Sequence, residues 1–430
     1  MKINILTLLI FTLFVMSSAL TGCTSEPVSV TEIACAENDV STSCILDNAE
    51  KTIAAIEGHY DWVTSAAELA LALDSQGEGN QAWSYLEQAV KRLPNIADVK
   101  KRDGAAADLA LTLKSMASSS AADPIISNLQ SYGGAVEAAG KRADILCKIV
   151  TARAVHESPE KARKLALSLA QDSEIENSYR GRTQREIAAI FAKQGDVDSA
   201  ISILEEITAD FTYYKAVAQT DIMSQAAKAG NKDVLDTLRT GAEAIAEGQD
   251  NKYFSAGILR DIGHSYIVLG EDEVGANYIR KARLAAAQAP KFQEQSRSTS
   301  RIATRLADAG PLGDTLDILN DALKFLEQEE SQMMTSFSLY EIAGSAAFSN
   351  NIEMSKKLVD ELPDATFLSA TSLRAAGQRD LAWGLVRHGN LNAGLSMANS
   401  ITAPRERVHA LSRIVRLINN PSMDALPRYL

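Results

Sequence analysis

Four cysteines and five histidines are the side chains of this 430-residue chain best suited to attack, bind metal or relay protons. His59, His156, His264, His388 and His409 are scattered, with no H-E-x-x-H pair and no second histidine at ligand spacing. Zinc hydrolysis therefore has no ligand set. There is no G-x-S-x-G elbow, no phosphate loop and no dinucleotide-binding glycine pattern. In "HYDW" His59 stands near Asp61 without a nucleophile, and the stretch reads as the start of a helix. No catalytic residue, metal or cofactor is expected. Cys35 and Cys44 in "CAENDVSTSC" lie just ahead of the first amphipathic run and suit a disulfide. A loop this short stabilises by ~2–3 kcal/mol at best. A metal pair is the alternative, but no neighbouring His or Cys completes it. Cys147 in "ILCKIV" reads as a small buried hydrophobe.

The cysteine left over points to the cellular setting. Lys2 and the apolar run "INILTLLIFTLFVM" form a leader too short for a confident membrane span. Behind it, Leu20-Thr21-Gly22-Cys23 resembles the lipobox of bacterial lipoproteins. The resemblance implies that residues 1–22 are a signal peptide and that Cys23 becomes the N-terminus, carrying diacylglycerol and an N-acyl chain. At roughly 0.8 kcal/mol per buried methylene, several chains anchor far better than one. Thr24 replaces the aspartate of the inner-membrane retention signal, so the resemblance implies the outer membrane, facing the periplasm. An ordinary secretory peptide with an incidental cysteine is the competing reading. Residues 23–44 become a lipidated tether, in a compartment where a disulfide persists.

Composition narrows the fold beyond the tether. Apolar residues make up 46% of the chain and aromatics only 6%, which favours helices packed through small side chains over sheets. The formal net charge of −12 argues against broad nucleic-acid binding, which needs a basic footprint.

The helices repeat. Pairs of amphipathic runs are broken by Gly-containing turns, and the second run opens at Ala82, Ala122, Ala162, Ala200, Leu235, Gly275, Thr315, Ser355 and Gly394. Five residues earlier stand Gly77, Ala117, Glu157, Gly195, Gly230, Gly270, Gly310, Asn350 and Gly389. Gly, and then Asn, best tolerates the left-handed conformation that ends a helix. Apolar pairs such as Ile262 and Tyr266, or Leu319 and Ala322, lie three or four residues apart on one helical face. A regular spacing near 40 residues is the mark of stacked helical hairpins, none of which buries its own stripe alone.

In "AAELALALDSQGEGNQAWSYLEQAVKRLP" the chain resembles the tetratricopeptide repeat through Leu69, Ala70, Leu73, Gly77, Ala82, Leu86, Ala89 and Pro94. The resemblance runs from about Val63 to Arg416. The spacing departs from that family's 34 residues, which leaves a HEAT-like assignment open. The expected fold is all-α: a right-handed superhelical solenoid of about nine helix-turn-helix repeats over residues 45–419. Single helices at "LDNAEKTIAAIEG" and "APRERVHALSRIVRLI" would cap its two ends, and residues 420–430 form a tail.

The resemblance also implies a concave face lined by the first helix of each pair. Mapping its groove positions gives Arg182 and Arg185, Arg260 and His264, Arg297, then Phe337 and Tyr340, then Arg379, Trp383 and Arg387. Arginine forks match carboxylates bidentately, and aromatics add stiff contact area. The strip would take acidic or C-terminal peptide segments of other envelope proteins. The competing reading pairs these arginines with Glu186, Asp261 and Asp380 of the chain itself. The expected function is a membrane-anchored, non-enzymatic scaffold or regulator of a cell-envelope assembly. An alternative is a glycan- or small-ligand-binding lipoprotein with a closed pocket at Trp383, Tyr340 and Arg387. A third is a peptidoglycan-acting hydrolase, which requires a buried carboxylate pair in a cleft.

Overall fold

The computed structural model describes residues 41–117, 122–158, 160–164, 177–207, 212–310, 315–364, 366–367 and 371–421. The lipidation candidate Cys23, the disulfide candidate Cys35 and most of the tail lie outside them. Cys44, in the first turn of the first helix, is disulfide-bonded, and Cys147 is free and buried.

The described chain is all-α, with helices paired largely in sequence order. Helix α1 (Thr42–Ala54) stands first and alone. Then come α2 (His59–Ser75) with α3 (Gly79–Arg92), α4 (Val99–Ser115) with α5 (Ala122–Gly134), and α6 (Ala139–His156). The pairs continue with α7 (Asn177–Lys193) and α8 (Val197–Glu206), α9 (Thr212–Lys228) and α10 (Lys232–Glu247), α11 (Lys252–Leu269) and α12 (Asp272–Ala287). The last are α13 (Phe292–Ala309) and α14 (Thr315–Leu326), α15 (Gln332–Phe348) and α16 (Ile352–Glu361), α17 (Leu373–Arg387) and α18 (Leu391–Ser400). Helix α19 (Pro404–Asn419) ends the series. The described strands are a two-residue antiparallel pair, Thr366–Phe367 with Thr371–Ser372.

Local chemistry sets these boundaries. Asn251 caps α11, its side chain accepting from the Tyr253 N–H at 3.0 Å. The helix stops at Gly270, whose φ of 90° is left-handed. There the Gly270 and Glu271 N–H groups donate back to the Ile267 and Tyr266 carbonyls, each at 2.9 Å. This closes the orphan carbonyls of the last turn. Positive φ occurs among the described residues only at Gly77, Gly195, Gly230, Gly270, Gly310, Gly389 and Asn350. Those are seven of the nine turn positions that the repeat spacing singles out; Ala117 and Glu157 do not share the positive φ. Three residues into α12, a Cβ on Gly275 would stand 2.8 Å from the Gly263 carbonyl oxygen. Small residues at that slot set how closely the two helices of a pair approach.

The first helices, α2, α4, α6, α7, α9, α11, α13, α15, α17 and α19, each pack against the next. Second helices pack mainly on their own hairpin and the following first helix, and they touch one another little, α3 with α5 excepted. That places first helices on the inside of the curve and second helices on the outside. The row then closes on itself. Helix α19 packs against both α2 and α1, as extensively as helices within a hairpin do. Val408, Leu411, Ile414 and Val415 of α19 share one apolar core with Ile45, Ile53, Val63 and Ala66. Asn48 donates to the Asn399 side chain at 3.1 Å, and Asn419 donates to Ser75 and Gln76 at 3.2 and 2.9 Å. Separate caps at the two ends are thus replaced by mutual cover: α19 and α1 act as the two halves of one more hairpin. Each apolar side chain hidden in this seam contributes about 1.5–3 kcal/mol over leaving it exposed.

Candidate functional site

The inner helices carry charge at one repeated register. Glu186, Asp221, Asp261, Glu341 and Asp380 occupy the middle of α7, α9, α11, α15 and α17, with Arg301 in the same slot of α13. Middle turns of neighbouring inner helices face each other across the row, so these groups meet partners one hairpin away.

Every arginine and aromatic of the expected strip lies on an inner helix, and each is already engaged. Arg182 donates to Asp144 at 3.1 Å, and Arg297 pairs with Glu341 at 2.7 Å. Arg185 donates through Nε to Asp221 at 2.7 Å and lies 3.8 Å from Glu186. Arg260 grips the carboxylate of Asp261 bidentately at 2.9 and 2.8 Å. His264 Nε2 lies 2.9 Å from Asp308. Arg379 donates to Asp380 at 2.9 Å, to Glu406 at 2.6 Å and to the Tyr340 hydroxyl at 2.7 Å. That hydroxyl in turn donates to Asp380 at 2.9 Å. Trp383 is buried and stacks on Phe348 with ring centroids 5.4 Å apart. Arg387 lies 4.0 Å over the Phe348 ring and 3.9 Å from Asp308. The competing reading of the arginines therefore describes these contacts: their forks meet acids of their own or adjacent inner helices, and Arg387 reaches Asp308 two inner helices back.

Within this lining one cavity of about 250 Å³ opens between α4, α7, α9, α11 and α13. Its charged lining is Lys114, Arg185, Glu186, Asp221 and Lys228 from α4, α7 and α9, and Asp261, His264, Arg305 and Asp308 from α11 and α13. Of the expected strip only Arg185 and His264 line it, with Arg260 behind Asp261. Trp383, Tyr340 and Arg387 line no part of it. Reading the sequence through arginines missed Asp221, Asp308 and Arg305, and took Glu186 and Asp261 only as partners of the arginines. The signal was present in the 40-residue step from Asp221 to Asp261 and the 44-residue step to Arg305.

The electrostatics of the two walls differ. Burial pushes the Asp221 carboxyl above the usual carboxylate range; Arg185 pulls the other way, while Glu186 and Asp261 add to the rise. Arg185 itself is held more firmly protonated: burial opposes its charge, but Asp221 and Glu186 together outweigh it. Arg185 serves two acids, Asp221 and Glu186. Burial would also raise Asp261, yet Arg260 and Arg305 hold it well below the usual range. Asp308 is likewise lowered, against burial, by the His264 hydrogen bond and by Arg305 and Arg387. Asp221 is thus the carboxylate whose charge burial disfavours, whereas arginines hold Asp261 and Asp308 ionised.

Among the described residues, no group of three or more His, Cys, Asp or Glu side chains is arranged to hold a metal. No described helix is long and apolar enough to cross a membrane. No known family profile matches the chain, and no curated protein matches it.

Proposed function

We propose that this protein is a lipid-anchored interaction module of the bacterial envelope, holding a segment of a partner protein against its inner helices without chemical conversion. The hairpins are read as tetratricopeptide-like, and Cys23, at the end of the leader, as the lipid attachment in the outer membrane. One observation carries the reading: the charged groups of the inner wall are mutually fixed by neighbouring helices before any ligand arrives. Ordered donors and acceptors lose little entropy on binding, which is what a recognition surface needs. A general acid or base needs freedom to exchange a proton, and the cavity's carboxylates are instead clamped by arginines. Because those arginines are already neutralised, the favoured partner segment carries charges of both signs rather than a purely acidic run.

Arg182 and Arg297, 39% and 36% exposed, are the strip cations most open to a partner. Capture of envelope proteins from detergent extracts by the Arg182→Glu/Arg297→Glu variant should lose the species held by the parent chain, with unchanged circular dichroism. An identical captured set from both chains would rule the reading out. Radiolabelled palmitate should enter the parent protein and not Cys23→Ser.

A further inference from the structure

We propose that the cavity between α7, α9, α11 and α13 is a binding site for a small zwitterion bearing a free ammonium and a free carboxylate, of the amino-acid or short-peptide class. The site is distinct from Arg182 and Arg297 and does not depend on partner capture.

Size sets the first limit. About 250 Å³ falls just below the ~300–1,000 Å³ range of pockets for drug-sized molecules, so the occupant is small. Chemistry sets the second. The lining is charged, hydroxylic and amidic apart from Ala189 and the His264 ring, and no Phe, Tyr or Trp lines it. A sugar or nucleobase would find no stacking face.

Charge balance sets the third limit. Four acids and four bases line it: Lys114 pairs with Glu186, Arg185 with Asp221, and Arg305 with Asp261 and Asp308, and Lys228 is the fourth base. A ligand of single charge would leave one side of this set opposed by its own sign in a partly enclosed space, where such errors cost more than in open water. A dipolar ligand avoids that.

The walls also give it a direction. Asp221 is bonded by Arg185 at 2.7 Å and has Glu186 and Asp261 nearby, so an incoming ammonium meets net acid on that side. Across the cavity Arg305 sits between Asp261 and Asp308 at 3.1 and 3.8 Å, with Arg260, His264 and Arg387 alongside. That wall receives the carboxylate. Between them the Ser224 hydroxyl and the Gln225 amide line the cavity and have no side-chain hydrogen bond among the described residues. They are placed to hydrogen-bond the middle of the ligand.

Isothermal titration of the purified full chain tests this with alanine, alanyl-alanine, N-acetyl-alanyl-alanine and alanyl-alanine amide. At least one of the two unblocked compounds should bind, and which one does fixes the length of the ligand. Blocking either end should weaken binding about tenfold or more, the scale of one charge-assisted hydrogen bond. Asp221→Asn should remove discrimination against the N-acetyl form only, and Arg305→Gln discrimination against the amide only. Both variants should keep the parent circular dichroism spectrum. Equal affinity for blocked and free compounds, or no binding of any of them at 10-millimolar levels (on the order of the weakest useful affinity), overturns the proposal.

Discussion

The chain contains the same charged unit twice, once open and once sealed. On α11, Arg260 grips adjacent Asp261, and Arg305 from the next inner helix joins at 3.1 Å. On α17, Arg379 grips adjacent Asp380, and Arg413 from the next inner helix joins at 3.1 Å. The Asp261 side chain keeps 19% of its surface and Asp380 only 5%. What differs is the residue supplied by the preceding inner helix. In α15, Tyr340 inserts its phenol between Arg379 and Asp380 and bonds to both. At the matching place in α9 stands Thr220, whose short hydroxyl turns back to its own Val217 carbonyl at 2.9 Å. One large side chain fills the wall; one small side chain leaves a cavity. An Arg-Asp pair in a repeat is therefore not by itself a site, and its neighbour decides whether it becomes one.

The sealed unit should be the more fragile. Arg379→Met strands Asp380 and Glu406, which are 5% and 1% exposed, with only Arg413 and Arg405 left to serve them. Removing one partner of a buried network costs about 3–5 kcal/mol. Arg305→Met leaves Asp261 its bidentate Arg260 and access to cavity solvent, and should cost about 1 kcal/mol. Urea unfolding of the two variants side by side measures the gap, and equal losses would remove the distinction between sealed and open. Tyr340→Phe comes next. It deletes one hydroxyl that both donates and accepts within the sealed unit, for a loss of about 1–3 kcal/mol.

A histidine marks the same contrast. His264 of the open unit meets Asp308. His409, in the seam beside the sealed unit, is buried, its Nε2 has no partner among the described residues, and a backbone contact with Thr64 lies on its other side. Burial lowers its pKa well below the usual value, and Arg405, Arg379 and Arg413 push the same way. The folded ring stays neutral where the unfolded one takes up a proton, near pH 6.5. This contribution to stability is therefore complete above pH 6.5 and is lost as pH falls below it, by up to about 1.4 kcal/mol per pH unit. His388, lowered by burial against its bond to the Phe348 carbonyl, adds in the same direction. Unfolding midpoints between pH 6.5 and 5 should fall more steeply for the parent chain than for His409→Gln. Parallel slopes would show that His409 is charged in the fold.

Much of this architecture is written locally, which is why the sequence could be read so far. A left-handed helix stop needs Gly or Asn, and the close approach at Gly275 excludes a side chain, so both leave a residue-level trace at regular spacing. Ring closure leaves a weaker one. It rests on contacts between α1, α2 and α19, nearly the whole chain apart, although an unpaired helix at each end is what two halves of a split hairpin look like. The inner-wall positions of Arg185, Arg260 and Arg379 were legible from the hairpin register, as were Asp261 and Asp380 next to two of them. The partner of Arg185, Asp221, lies one repeat away, and finding it needs the register of two helices at once. The cavity was not legible at all, because it arises from the absence of bulk at Thr220.

That absence can be reversed. Thr220→Tyr places in α9 the side chain that α15 has at Tyr340, opposite the Arg260–Asp261 pair. Because it enters existing space, with Arg260 and Asp261 positioned as Arg379 and Asp380 are, the substitution should avoid the ~1–3 kcal/mol cost of overpacking a filled core. Stability should change by less than about 1 kcal/mol, as a new phenol hydrogen bond offsets side-chain ordering. Capture of the partner through Arg182 and Arg297 should persist, while any zwitterion binding in the cavity disappears. A large destabilisation would instead mean that the wall around Asp261 is as tightly filled as that around Asp380, and that Tyr340 and Thr220 are not equivalent places in the repeat.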